Sequence, residues 1–225
     1  MATRYNYTGQ LVTDGLVLNL DAAKRDSYPG SGTTWYDLSG NGNNGTLTNG
    51  PTYTGVSKDA AIVFDGVDDR VILNPTVELV GPFTWSIFCK SNLMTSSVNR
   101  QVYLSGNFNF EQSDYDTFLI FGSGGFIDIL ELPAGLIPQG TFYQATLVRK
   151  LDNTFDFYYN GVKQTLRSGG NIQTSLGITI NNIGCTSFLT RFWNGNISIV
   201  NIYNRLLTDQ EILQNYNAQK GRFGL

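Results

Sequence analysis

The sequence has 225 residues, 15% of them charged, a net charge of −3 and no histidine. The missing imidazole excludes a Ser-His-Asp triad, a Cys-His pair and His-ligated zinc or haem. Glycine (25) and asparagine (22) are weak helix formers, so bundles and coiled coils fit poorly, while Phe 14, Tyr 12 and Trp 3 argue against disorder.

The N-terminus, MATRYNYTGQ, has no apolar stretch of the signal-peptide kind. No run approaches the roughly 18 apolar residues of a membrane span. The protein is therefore expected to be made and folded in a cytoplasm, with no membrane partner. Without a basic patch, binding to nucleic acid through phosphate contacts is not expected either. No charge run or Pro-rich linker divides the chain. Residues 1–10 read as an arm, 11–218 as one domain and 219–225 as a tail.

Strand signals recur along the domain. Leu16, Leu18 and Leu20 alternate in GLVLNLDA, and Ile62-Val-Phe64 runs into Asp65-Gly66. Arg70–Leu73 follows, and Phe83–Lys90 alternates cleanly. Phe118–Phe121 and Phe126–Leu130 are short apolar runs bounded by glycine. Thr141–Arg149 alternates, turns through Leu151–Thr154, and returns as Phe155–Tyr159 before Asn160-Gly161. That order predicts antiparallel hairpins. Ile178–Ile180 and Asn196–Tyr203 supply later strands. Near the end, Thr208-Asp-Gln-Glu211 predicts a helix start by a capping box, with Leu207 and Ile212 spaced as a hydrophobic staple. Ile212, Leu213 and Tyr216 form its apolar face. The whole reads as an all-β, two-sheet antiparallel sandwich with one short C-terminal helix.

Cys89 shares the phase of Phe83, Trp85 and Ile87, so a buried free thiol is favoured over a bridge to Cys185. The N-x-S/T triplets at Asn6, Asn44 and Asn196 read as products of the asparagine excess.

Several segments carry a resemblance. Asp14-GLVLNLDA, YPGSGTTWYDLSGNGNNGTLTNGPTY (28–53), IVFDGVDD (62–69), FYYNG (157–161) and WNGNISIVNIYNRLLTDQEILQNYNAQKGRFGL (193–225) occur in this order. Together they resemble the laminin-G-like, concanavalin A-like jelly-roll family, closest to the version encoded by tailed phages of aquatic bacteria. The resemblance implies a jelly roll and a non-enzymatic virion role: capsid decoration, capsid fibre or tail appendage. Its partners would be other virion proteins. The family is also similar to carbohydrate-binding modules, so a glycan-binding adhesin is the alternative. Self-association into trimers would suit a fibre, although no heptads are present.

Glycoside hydrolases of the fold use Glu-x-Asp-x-(x)-Glu, but here Phe126 stands before Asp128 and Glu131, so hydrolysis is disfavoured. Asp65-Gly-Val-Asp68-Asp69 suggests either weak calcium binding or a tight turn in which Asp65 accepts backbone N–H bonds, and the turn is favoured. The loop Asp37–Gly45 reads as structural rather than phosphate-binding. Trp35, Trp85 and Trp193 read as packing residues before sugar platforms, with Trp193 partly exposed beside Asn194-Gly195. Arg4, Tyr5 and Tyr7 in the arm, and Lys220 and Arg222 in the tail, are candidate docking residues on ends that usually fray. No residue is assigned a catalytic, cofactor-binding or metal-ligating role, and no cofactor is expected.

Overall fold

The computed structural model describes residues 9–92, 101–114, 117–122, 125–131, 133, 136–137, 139–152, 154–165 and 177–225, with backbone alone over 113–131. The strands in chain order are β1 (Leu16–Asp21), β2 (Thr34–Trp35), β3 (Asn44–Thr48), β4 (Thr52–Tyr53), β5 (Ile62–Asp65), β6 (Arg70–Leu79), β7 (Phe83–Ser91) and β8 (Gln101–Gly106). There follow β9 (Phe108–Asp114), β10 (Thr117–Gly122), β11 (Gly125–Glu131), β12 (Tyr143–Arg149), β13 (Phe155–Tyr159), β14 (Val162–Lys163), β15 (Ile178–Ile183) and β16 (Asn194–Tyr203). Helix α1 (Asp209–Gln219) leads into a 3₁₀ turn, Lys220–Arg222.

Among the described residues the strands form two eight-stranded antiparallel sheets. Sheet A runs β14-β13-β12-β7-β16-β5-β4, with β1 also paired to β16. Sheet B runs β11-β10-β9-β8-β15-β6-β3-β2. This is the expected jelly-roll sandwich. Period-two alternation aims one set of side chains from each sheet into the shared core. From sheet A come Leu18, Leu20, Phe83, Trp85, Ile87, Leu147, Phe157, Val200 and Ile202; from sheet B come Val71, Leu73, Val77, Tyr103, Phe110 and Ile180. The edge-to-face pair Trp85–Phe110 joins the two layers at 5.8 Å between ring centroids.

A polar knot sits inside this apolar layer. The Tyr103 and Tyr143 hydroxyls lie 2.7 Å apart, and both donate to Gln112 Oε1, at 2.6 and 2.9 Å. Buried polar groups are tolerated when they are paired, and this knot links a strand of sheet A to two of sheet B. Cys89 and Cys185 are both buried and free, and burial pushes the Cys89 thiol far above its ordinary value.

The hairpin reading of β12–β13 holds, with Ala145 opposite Tyr159 and Arg149 opposite Phe155. Asn160 and Gly161, at φ 50° and 76°, close the β13–β14 hairpin as a type I′ turn. Glycine is required at 161 for a second reason: a Cβ there would meet Tyr216 at 2.8 Å. Short strands β2 and β4 and the polar β9 lacked the alternation that marks the others.

The loop Asp37–Gly45 is structural, as expected. The Asp37 carboxylate accepts from the amides of Asn19, Ser39 and Asn43 and from the Ser39 hydroxyl. The Asn43 side chain donates to Val17 O, so the loop is sewn onto β1. Asn44 and Asn196 lie in strands, and Asn196 is buried, while Asn6 lies outside the described residues.

Helix α1 starts as its sequence dictates. The Thr208 hydroxyl accepts from the Glu211 amide at 3.2 Å, and Glu211 Oε2 accepts from the Thr208 amide at 2.8 Å. Arg205 grips the same carboxylate at 2.7 Å and reaches Asp14 at 2.9 Å. Leu207 and Ile212 share one buried cluster with Leu16, Val148 and Tyr203, so the staple forms.

The C-terminal residues depart from the frayed, free tail read from the sequence. Arg222 makes a two-pronged pair with the buried Asp21, at 2.7 and 2.8 Å, and donates to Lys58 O at 2.7 Å. Phe223 stacks on Phe88 at 4.8 Å. The tail therefore packs against its own sheet instead of standing clear for a neighbour. The physical reason is that Asp21 is buried and needs a cation, and Phe88 needs an apolar cover. Of the N-terminal arm, Arg4, Tyr5 and Tyr7 lie outside the described residues.

Two outcomes follow. Arg222→Ala strands the Asp21 carboxylate and should destabilise the fold by about 3 kcal/mol, read from the urea midpoint. Glu211 is held below its ordinary value, first by the hydrogen bonds from Arg205. A depressed carboxylate contributes stability above its unfolded value, and that contribution fades as pH falls through the folded one. Glu211→Gln should therefore cost about 1 kcal/mol at neutral pH, with the gap from the parent closing below about pH 4.

Candidate functional site

The two outer faces of the sandwich differ. On sheet A, Phe88 and Ile199 are covered by Tyr216, Leu213 and Phe223 of the C-terminal segment. Among the described residues, sheet B carries no such helix. Pairing aligns Thr46, Ile72, Asn182, Ser105 and Asn109 in one row across four junctions of sheet B. Their neighbours Leu47, Val71, Leu73, Ile183, Leu104 and Phe110 point into the core, so the row faces outward.

The β15–β16 connection, residues 184–193, folds back over one end of this row. Ser105 Oγ donates to Cys185 O at 2.7 Å, and the Ser187 amide donates to Asn109 Oδ1 at 3.3 Å. Arg191 Nη1 donates to both oxygens of Glu111, at 2.8 and 2.7 Å. Glu111 is fully buried, so this charge is held by pairing rather than by water. Within the loop the Thr186 and Thr190 hydroxyls bond at 2.8 Å. Leu189 and Arg191 both sit at φ 55°, in the left-handed region that side chains disfavour by about 1 kcal/mol each. The ion pair and the Thr186–Thr190 clasp overcome that cost.

This strained loop holds Phe188 outward, 80% exposed. With Leu189, 49% exposed beside it in the chain, it forms an apolar tip available for contact with a ligand. In the same loop the Arg191 side chain stays partly exposed while paired with Glu111. The arrangement suits a ligand with one apolar ring face and polar edges. Below it, burial pushes the Cys185 thiol up to about 11, against a smaller pull from Arg70, so the thiol is unreactive at neutral pH.

The residues singled out from sequence fall elsewhere. Trp35, Trp85 and Trp193 are all fully buried. For Trp193 this corrects the expected partial exposure: its ring packs against Tyr103 at 4.9 Å, beneath the loop. Asp65, Asp68 and Asp69 do converge, with carboxylate oxygens within 4.8 Å of one another. Yet Asp65 Oδ1 accepts the amides of Val67 and Asp68, Asp69 Oδ2 accepts the Asp65 amide, and Gly66 takes φ 81°. The backbone bonds, that from Val67 first, hold the Asp65 carboxyl below its ordinary pKa, whereas burial pushes that of Asp69 up. The cluster is the turn that the sequence favoured. Phe126, Asp128 and Glu131 lie on β11 at the edge of sheet B, with side chains outside the described set. Phe188, Arg191 and Glu111 went unmarked in the sequence reading. An apolar Phe-Leu pair inside a Thr-Ser-Phe-Leu-Thr-Arg loop was the available signal.

The comparisons agree with this architecture. A family model described as the concanavalin A-like lectin/glucanases superfamily matches residues 64–213. Among solved structures, the binding domain of Paraclostridial Mosquitocidal Protein 1 is similar with a TM-score of 0.67 at 16% identity, over 92% of this chain and 52% of that one. Domain 4 of AbnA, an extracellular arabinanase from Geobacillus stearothermophilus, solved with arabinotriose, is similar with a TM-score of 0.62 at 17% identity, over 89% and 98%. A structure reported for ganglioside-dependent cell entry of botulinum neurotoxin type C is similar with a TM-score of 0.66 at 14% identity, over 92% and 52%. The chain thus spans about half of the two toxin chains and only 34% of the Trypanosoma rangeli sialidase it also resembles. Among curated proteins, none matches the chain by sequence. Because the family model covers about two thirds of the chain, including β6–β16 and the start of α1, the protein belongs to the concanavalin A-like lectin/glucanases superfamily.

Proposed function

We propose that this protein is a carbohydrate-binding domain that engages glycans on the outer face of sheet B, and that it is not an enzyme. The observation that carries the reading is Phe188, held out in solvent by a strained loop together with Leu189 and the partly exposed Arg191. A sugar presents CH groups on its ring face and hydroxyls at its edges, which suits an exposed phenyl ring in a loop that also carries a partly exposed guanidinium. The arabinotriose-bound AbnA domain supports it, because that similarity covers nearly the whole of both chains. The likeness to botulinum neurotoxin type C, whose cell entry depends on gangliosides, points the same way. Against hydrolysis stands Phe126, in the place where the family's hydrolase motif has its first acid.

The virion role is a second proposal. It is favoured by the matching SGNGNNGTL and IYNR-L-T-x-x-E-I segments, and it is compatible with the first, since a displayed jelly roll can carry the glycan site. Other virion proteins, and self-association into a trimer, belong to this proposal.

A glycan array followed by titration calorimetry tests the binding reading. Phe188→Ala should weaken any selected glycan about tenfold, because stacking on an exposed ring contributes on the order of 1 kcal/mol. Its melting temperature should stay within a degree or so of the parent, since the ring packs little. An array with no binder would overturn the reading. For the virion proposal, mass spectrometry of purified phage particles should detect this chain, and its absence would reject the role.

A further inference from the structure

The segment that covers sheet A carries an aromatic and cationic surface of its own. Phe223 stacks on Phe88 and meets Phe142, both at 4.8 Å, so Phe142 and Phe223 form a half-buried platform beside β7 and β12. Lys90 Nζ lies over the Phe142 ring at 5.5 Å. Lys220 Nζ lies over Tyr216 at 5.1 Å, and that ring stacks 6.3 Å from Phe88. Arg222, beside them, is spent on Asp21. Among the described residues no carboxylate pairs with Lys90 or Lys220. An aromatic face holds a cation without neutralising it. Two such cations flanking a phenyl platform fit a partner with an apolar tip between two acids.

The chain itself carries that tip. The β5–β6 turn puts Val67, 69% exposed, between the exposed Asp65 and Asp68. The carboxylates of Asp65, Asp68 and Asp69 lie within 4.8 Å of one another and repel, so an arriving ammonium group relieves them. Asn194 Nδ2 donates to Asp65 O and Asn49 Nδ2 to Asp68 O, which pins the turn and stops it swinging across to its own platform. Asp65 pairs with Asn194 on one side of β16, and Lys90 pairs with Asn196 on the other. Tip and platform therefore lie side by side at one end of sheet A, roughly 10 Å apart at two strand spacings.

We propose that two copies of this chain associate about a two-fold axis over this end of β16, the Asp65–Asp68 turn of each seated on the Phe142–Phe223 platform of the other. Val67 packs on the phenyl rings, while Asp65 and Asp68 pair with Lys90 and Lys220. Each contact is made twice, because the surface is complementary to itself. The contact is small and its rim is charged, so the pair is weak and salt-sensitive. It rests on neither the glycan reading nor the virion reading.

Sedimentation equilibrium of the full chain in a chelating buffer tests it. A monomer–dimer equilibrium should appear at low salt and weaken about tenfold between about 50 and 500 mM NaCl. Lys220→Glu and Asp68→Lys should each weaken it about tenfold, because each sets like charges together at both contacts. The double variant Asp68→Lys with Lys220→Glu should restore it to within about threefold, which damage to the fold would not do. Val67→Ser, on an exposed side chain, should weaken it about threefold. A chain that stays monomeric at low salt, a dimer indifferent to salt or to the single reversals, no rescue by the double variant, or assembly in threes instead of pairs would each overturn it.

Discussion

The covering of sheet A by the chain's last seventeen residues is the constraint from which the rest follows. The outer face of that sheet carries Phe88 and Ile199 among polar groups such as Thr146, Ser86 and Asn201. An uncovered aromatic-aliphatic patch there would invite association. Helix α1 and the turn after it cover it, fixed at one end by Arg205 against Asp14 and Glu211 and at the other by Arg222 against Asp21. Both arginines reach back to the first strand region, so chain start and chain end are bound into one layer. Among the described residues, only the 184–193 loop lies over the outer face of sheet B.

The strain in the 184–193 loop makes sense in that setting. Two side-chain residues in the left-handed region are tolerated because the Arg191–Glu111 pair and the threonine clasp over-determine the path. The result is a rigid platform. A flexible loop would lose conformational freedom on meeting a ligand, whereas a fixed one does not.

Much of the architecture was legible in the sequence because it rests on local signals. Alternation in Phe83–Lys90, the Asn160-Gly161 turn and the Thr208–Glu211 box each involve residues close in sequence, and each formed as read. The site was less legible. Glu111 and Arg191 are eighty residues apart, and nothing local says that they meet. Trp193 looked exposed beside Asn-Gly, but the loop that hides it closes through those same long-range bonds. Arg222 looked like a free tail cation until Asp21, two hundred residues earlier, was found buried beneath it.

The packing of residues 10–12 against helix α1 has a mechanical consequence. Gln10 and Val12 bond to Gln214 and Asn215 of the helix, and Phe223 lies on Phe88, so residues 10–12 and the last turn of the chain share one layer over sheet A. Pulling residue 10 away from the helix would therefore strip the Asn215 and Gln214 contacts first, before any strand pair of sheet A opens.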